Sequence, residues 1–181
     1  MGATQIVDDY AVSVGRIKGA VFRELVLRYG GRSDPAGPAS AISASRWYAA
    51  GVVHGLLDAI LAGMSAEERS ALARESAALA MAPTLRGPLV RLAGTPERWA
   101  QHGQRIWRAY YETGVVTTTQ RAPTCWEQTI AAWAEHHPFL CEQHAAATAL
   151  LHRAMGHEAA RVERTACVSL GAPACSYRID A

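Results

Sequence analysis

The chain has 181 residues, half of them hydrophobic and 19% of them charged, with a formal net charge of +2. This balance is that of an ordinary globular protein, and we expect one domain spanning 1–181. Because the net charge is close to neutral, nothing in it favours binding to nucleic acid.

The start of the chain and its apolar stretches indicate a cytoplasmic protein. The opening residues, MGATQIVDDY, lack the basic start and the apolar core of a secretory signal. The longest apolar stretch is interrupted by His54 and Asp58, so we expect no membrane association. Thiols stay reduced in the cytoplasm, where clustered cysteines indicate metal or redox chemistry more than disulfides.

The first half of the chain has mainly helical patterns. A short strand in 11–18 is followed by apolar residues at helical spacing over 19–29, and then by a Pro- and Gly-rich loop over 32–40. Ser43 or Ser45 is expected to cap the next helix. The further helices are predicted to run to Leu61, from Ser65 to Met81, from Thr95 to Tyr111 and from Pro138 to Met155.

After Gly114 the pattern changes to runs rich in β-branched residues. VVTTTQ, from Val115 to Gln120, is typical of a strand, and two further runs flank GAPA near the end of the chain. The predicted strands are 115–121, 124–132, 159–169 and 174–180. We therefore expect an α+β fold in which N-terminal helices pack on a four-stranded antiparallel sheet, in the order strand-strand-helix-strand-strand.

Two cysteines lie on either side of the last turn. A tight turn near Gly171 would place Cys167 directly opposite Cys175, where paired β carbons are about 4.5–5.5 Å apart. In a regular strand, Glu163 lies on the same face as Cys167. Two thiolates at this spacing can share a zinc ion, to which they bind at about 2.3 Å.

The helix before this hairpin supplies a third sulfur. His137, Cys141 and His144 are spaced i, i+4, i+7 and so share one helix face, and a helix N-terminus favours thiolate over thiol. We therefore expect a zinc site of Cys141 and the two hairpin cysteines, with His144, His137 or Glu163 as fourth ligand. The spacing leaves open the alternative that all three cysteines are buried core residues.

Three segments carry a resemblance to a known family. GAVFRELV, RIWRAYYETG and the closing ERTACVSLGAPACSYRID resemble the 4-vinyl-reductase domain family, which includes the sensor domains of phenol- and xylene-responsive activators. The chain also resembles a myxobacterial paralogous family of unknown function. More distantly it is similar to the haem-NO-binding domain and to TRAPP subunits, which dimerise through helices. The resemblance implies a small-molecule sensor with a closed apolar pocket, acting as a homodimer or through a protein partner.

The resemblance also implies a zinc site. In the aromatic sensors the ligands are an upstream cysteine, a carboxylate just before the hairpin and the two hairpin cysteines, to which Cys141, Cys167 and Cys175 correspond. The carboxylate does not correspond, because Arg164 stands at its position. Glu163 is one residue earlier and would need a change of strand register.

Aromatic residues cluster in the middle of the chain and are the expected lining of a pocket for a small apolar or aromatic molecule. The residues expected to bind such a ligand are Trp107, Tyr111, Trp126 and Trp133; an ordinary aromatic core is the alternative. The histidines from 136 to 157 are expected on solvated helix faces, and haem is not expected as a cofactor.

The sequence contains no nucleophile elbow, phosphate loop, dinucleotide fingerprint or zinc-protease motif. We therefore expect a non-catalytic small-molecule-binding or signalling module with a structural zinc. Two alternatives remain: a protein-interaction module without a ligand, and an enzyme or accessory factor in tetrapyrrole reduction.

Overall fold

The computed structural model describes residues 15–29, 42–86 and 94–181, so the loop expected over 32–40 lies outside the described residues. The fold is α+β, as predicted. Its helices are α1 (Arg23–Tyr29), α2 (Ala50–Leu61), α3 (Ala66–Arg86), α4 (Pro96–Trp107) and α5 (Pro138–Ala154). Its strands are β1 (Arg16–Lys18), β2 (Trp47–Ala49), β3 (Val115–Ala122), β4 (Cys125–Ala131), β5 (Arg161–Ala166) and β6 (Ala174–Asp180). None of the described helices combines the length and the apolar character needed to cross a bilayer.

The C-terminal sheet is antiparallel, with the strand order β3-β4-β6-β5, which confirms the predicted hairpins. Its inward face is set by period-2 alternation. Val116 pairs with Ile130, which in turn pairs with Cys175, and all three side chains are buried. Complete burial of a residue such as Ile130 stabilises the fold by about 1.5–3 kcal/mol.

Side-chain caps fix the starts of three helices. Ser65 and Glu68 form the predicted capping box, with Ser65 N donating to Glu68 Oε2 (2.7 Å) and Glu68 N donating to Ser65 Oγ (3.2 Å). Thr95 accepts from the backbone of Arg98, and Pro96 follows it as the first helical residue. His137 caps α5, because its Nδ1 accepts from Phe139 N at 3.2 Å.

The predictions for α2 and α4 were wrong at one end. Neither Ser43 nor Ser45 caps α2, because β2 intervenes and pairs antiparallel with β1; Ala49 precedes the helix without a side-chain cap. Helix α4 ends at Trp107, four residues before the predicted end. The following residues pair with β1 instead, with Tyr111 bridged to Ile17.

Helix α5 is central to the packing of the fold. It contacts α3, β5 and β6, while α4 packs on β3. Leu140, Cys141 and Leu151 on α5 are buried. Side chains of α5 are therefore placed to contribute to a site between the helices and the sheet.

Candidate functional site

The hairpin of β5 and β6 contains one irregularity, which decides the side chains on its inner face. Arg164 pairs with Tyr177 and Ala166 with Ser176, so Thr165 is an extra residue in β5. Because side chains alternate along a strand, the extra residue puts Arg164 on the face of Cys167 and turns Glu163 outward. Glu163 is accordingly exposed, and it pairs with Arg178 in the sheet.

The hairpin turn brings its two cysteines, Cys167 and Cys175, close together. Cys167 follows β5 and directly precedes a short 3-10 helix, Val168–Leu170. The amides of Leu170 and Ala172 both donate to the Cys167 carbonyl, at 3.0 and 3.2 Å. Gly171, with φ of 86°, supplies the left-handed residue that this turn needs.

Three sulfurs and one imidazole converge at this turn. Cys167 Sγ lies 3.6 Å from Cys141 Sγ, 3.9 Å from Cys175 Sγ and 3.4 Å from His136 Nε2. The four atoms all lie within 4.8 Å of one another. Zinc–sulfur bonds of about 2.3 Å in a tetrahedron place the sulfurs about 3.8 Å apart. The two sulfur–sulfur separations measured from Cys167 are close to this value, so these residues could hold a tetrahedral zinc ion.

Without a metal, the sulfurs share hydrogen bonds. The pKa of Cys141 is raised to about 12, first by its hydrogen bond to Cys175 and then by burial. The same hydrogen bond lowers the pKa of Cys175. The Cys141 amide donates to His137 O at 3.0 Å, and Tyr177 Oη lies 2.8 Å from the Cys141 sulfur.

Positive groups surround the sulfurs. Burial lowers the pKa of His136, but hydrogen bonds to Cys141 and Cys167 outweigh it, so the pKa is raised. Burial likewise opposes the charge of Arg164, yet its contacts with Cys141, Cys167 and Glu142 raise its pKa overall. Three thiolates and one imidazole around Zn²⁺ carry one net negative charge, which the Arg164 guanidinium is placed to offset.

The other expected fourth ligands lie elsewhere. His144 Nε2 is 2.6 Å from Gln128 Oε1, and the His144 ring packs edge-on against Trp107 and Tyr177. His137 caps α5, and its Nε2 lies 3.2 Å from a carboxylate oxygen of Asp58. His136 is missed by helical periodicity because it precedes the helix.

A second feature, the apolar cavity, lies between α4 and the sheet and is flanked by α3 and α5. Its volume is about 130 Å³. Its apolar lining includes Trp99, Gly103, Ile106, Trp107, Val116 and Leu151. Its polar lining is Gln128, Gln143 and His144, together with the Tyr110 and Tyr111 rings and Thr148. Burial lowers the pKa of His144 to about 4, so its imidazole is neutral at pH 7.

Two of the four aromatic residues expected in a pocket line this cavity. The rings of Trp107 and Tyr111 stack at 4.2 Å, and Trp107 Nε1 donates to Thr113 O at 2.6 Å. Trp133 packs behind them, 4.9 Å from Trp107. Trp126 packs 5.8 Å from His152. Trp126 and Trp133 are therefore core residues outside the lining.

The polar lining was not anticipated from the sequence. Gln128 lies between Trp126 and Ile130 on the inward face of β4 and is 3% exposed. Period-2 alternation along β4 was the signal that could have placed its side chain inside.

Solved structures of H-NOX proteins have the same fold as this chain. A crystal structure of an H-NOX protein from Shewanella oneidensis in the Fe(II)NO ligation state superposes with a TM-score of 0.60 at 13% identity, covering 91% of this chain and 98% of that chain. The chain shares the H-NOX fold. A triple mutant in the Fe(II) state gives 0.60 at 14% identity, covering 91% and 95%. An NMR structure of an H-NOX domain from the same organism in the Fe(II)CO state gives 0.57 at 12% identity, covering 91% and 97%. No family's sequence profile matches the chain, and no curated protein matches it.

Proposed function

We propose that this chain is a non-catalytic sensor module whose apolar cavity binds a small, uncharged, mostly apolar molecule. The observation that carries the proposal is the cavity itself, of about 130 Å³. An apolar cavity of about 150 Å³ is enough to bind benzene. The guest class is therefore a molecule of roughly one aromatic ring.

The polar groups of the lining support an uncharged guest. The Gln143 amide donates to Val21 O at 2.9 Å and to Ser76 Oγ at 2.8 Å. The Gln128 amide is held between His144 and Thr118. Since these groups already have protein partners and His144 is neutral, the lining supplies no charge to a bound ion.

The H-NOX structures are described by iron ligation states, which suggests haem as a ligand. Haem does not fit this cavity. Cofactor sites occupy about 300–1,000 Å³, several times the 130 Å³ bounded by the described residues. The only imidazole in the described lining, His144, is turned toward Gln128. The same size argument weighs against a role in tetrapyrrole reduction.

The second part of the proposal is a structural zinc held by Cys141, Cys167, Cys175 and His136. Four protein ligands close a zinc site and leave no open position for chemistry. This set keeps the three expected cysteines and takes His136 in place of His144. When bound, the ion would tie the start of α5 to the last hairpin.

Helix α5 connects the two parts. Cys141 lies at the cysteine–histidine group, and His144, one turn later, lies in the cavity wall. Fixing the first turn of α5 therefore fixes one wall of the cavity, and a preorganised pocket binds its guest at lower entropic cost.

Titration with toluene tests the binding proposal. A guest that binds only the folded protein raises its melting temperature with concentration, and we expect such a rise together with a change in Trp107 fluorescence. A zinc-loaded protein that shows neither response would contradict the proposal. A haem absorption band in the protein as purified would contradict the proposed guest class.

A protein-interaction module is the second candidate function. Val52 on α2 is 58% exposed and lies beside the exposed Gly51, so α2 presents apolar surface to solvent. If the chain forms a homodimer or binds a partner through α2, Val52→Glu should change the elution volume in size-exclusion chromatography. An unchanged elution volume would argue against an interface on α2.

A further inference from the structure

A groove separate from the cavity runs along the other side of α5, between α3, α5 and β5. Its volume is about 640 Å³, within the range of about 300–1,000 Å³ typical of small-molecule sites. Its rim is more polar than that of the cavity. We define it by its charged residues Arg74, Glu142, Arg153, Arg161 and Arg164 and call it the arginine groove.

The arginine groove concentrates positive charge in a chain whose formal net charge is only +2. Four arginines and a single glutamate line it. Glu142 is already engaged, because it accepts from Ser70 Oγ at 3.0 Å and lies 3.9 Å from Arg164. The groove therefore retains an excess of positive charge.

Two of these arginines, Arg74 and Arg161, form no ion pair within the part of the chain that the structure describes. Both are exposed. Arg153 donates to Ala160 O at 3.1 Å. A guanidinium presents a planar fork of donors that matches phosphate and carboxylate oxygens.

The floor of the groove is apolar and made of small side chains. Ala145, Ala146 and Ala149 on α5 form it, with Val162 on β5 at its side. Small side chains leave a smooth strip against which a flat or aliphatic body can pack. The groove thus combines apolar contact with several cationic donors.

We propose that the arginine groove binds a small organic phosphate, whose phosphate groups are held by Arg74, Arg153 and Arg161 and whose body lies on the alanine floor. The number of arginines favours an anion with two or more charges over a monocarboxylate. This site is independent of the apolar cavity, which offers no charge to its guest.

Isothermal titration calorimetry with pyrophosphate and ADP tests the proposal on the full chain. We expect the wild-type protein to bind ADP with a Kd below about 1 mM at low salt. The variant Arg74→Gln/Arg161→Gln should weaken binding of both probes at least tenfold. Arg105→Gln, on the exposed side of α4, removes one positive charge outside the groove and should leave binding unchanged.

A second variant separates the phosphate contacts from the floor. Ala149→Phe fills the floor without changing charge, so it should weaken binding of ADP and not of pyrophosphate. This comparison stands even if the double arginine variant does not fold. Equal losses with Arg105→Gln, or no binding of either probe at about 10 mM, would overturn the proposal.

Vesicles distinguish the source of the phosphate. If phosphatidylglycerol vesicles retain the wild-type protein but not the Arg74→Gln/Arg161→Gln variant, and ADP does not compete, the phosphate recognised is a lipid headgroup. Competition by ADP assigns the groove to a free organic phosphate.

Discussion

The cysteine–histidine group and the apolar cavity lie at successive turns of α5 and are built in opposite ways. At the first, four donor atoms lie within 4.8 Å of one another; the second is an apolar cavity of about 130 Å³. If the proposed function is right, metal binding stabilises the fold at the first region, whereas the second region is kept unfilled for a guest.

The largest expected effect is the loss of the proposed zinc site. Cys141→Ala should abolish stoichiometric zinc and lower the free energy of unfolding by more than about 4 kcal/mol, because the energy of metal binding is then folding energy. Elemental analysis and urea denaturation measure the two quantities.

Cys125→Ala is the matched control for that experiment. Cys125 is only partly buried and lies outside the group, so we expect full zinc content and a change of about 1 kcal/mol or less. Equal effects of the two substitutions would show that the three clustered cysteines are core residues and not metal ligands.

The next prediction distinguishes His136 from His144 by their effects on zinc affinity. His136→Ala should weaken zinc affinity at least 100-fold, about 2.7 kcal/mol, because it removes a direct ligand. His144→Gln should leave zinc affinity unchanged, because His144 lies in the cavity wall. Competition with a chromophoric chelator measures both, and the reverse order would restore His144 as the fourth ligand.

The sequence predicted the elements of this site better than its final ligand. Periodicity, turn residues and caps placed the four strands and α5, because each rests on local physics. The bulge at Thr165 depends on packing between β5 and β6 and has no signal in the residues. It turned Glu163 outward, while His136 entered the group from the segment before α5.

The cavity was predictable in part. Trp107 and Tyr111 belong to an aromatic cluster visible in the sequence, but aromatic residues alone do not say which rings line a space and which fill the core. Trp133 packs edge-on against Trp107 because the segment after β4 folds back against α4. That choice is made by tertiary packing, which no local pattern encodes.

The third effect concerns pH. Burial lowers the pKa of His144 in the folded protein to about 4, below about 6.5 in the unfolded chain. As the pH falls below about 6.5, the unfolded state binds the proton first, so stability is lost until about pH 4. His144→Gln should reduce this loss by about 2 kcal/mol in urea denaturation between pH 7 and pH 4.5.

His152, whose pKa burial also lowers to about 4, remains in that variant, so part of the acid sensitivity should persist. Release of zinc by acid affects both proteins, and only their difference is compared. An identical pH dependence would show that His144 is not buried as a neutral imidazole.

The smallest expected effect concerns binding of a guest in the apolar cavity. Ala147 lines the cavity and Ala149, two residues later, lines the arginine groove. Ala147→Leu should fill space and weaken toluene binding about tenfold, or 1.4 kcal/mol, while Ala149→Leu should leave it unchanged. NMR titration measures both affinities, and equal affinities would place the guest elsewhere.

The most direct test of the account is a crystal structure of the protein grown with zinc and bromobenzene, with anomalous data collected for both elements. We expect one zinc peak bonded to Cys141, Cys167, Cys175 and His136, and one bromine peak in the cavity beside Trp107. A fully folded protein with no bromine peak in the cavity, and with the three sulfurs bonded to no metal, would contradict the account.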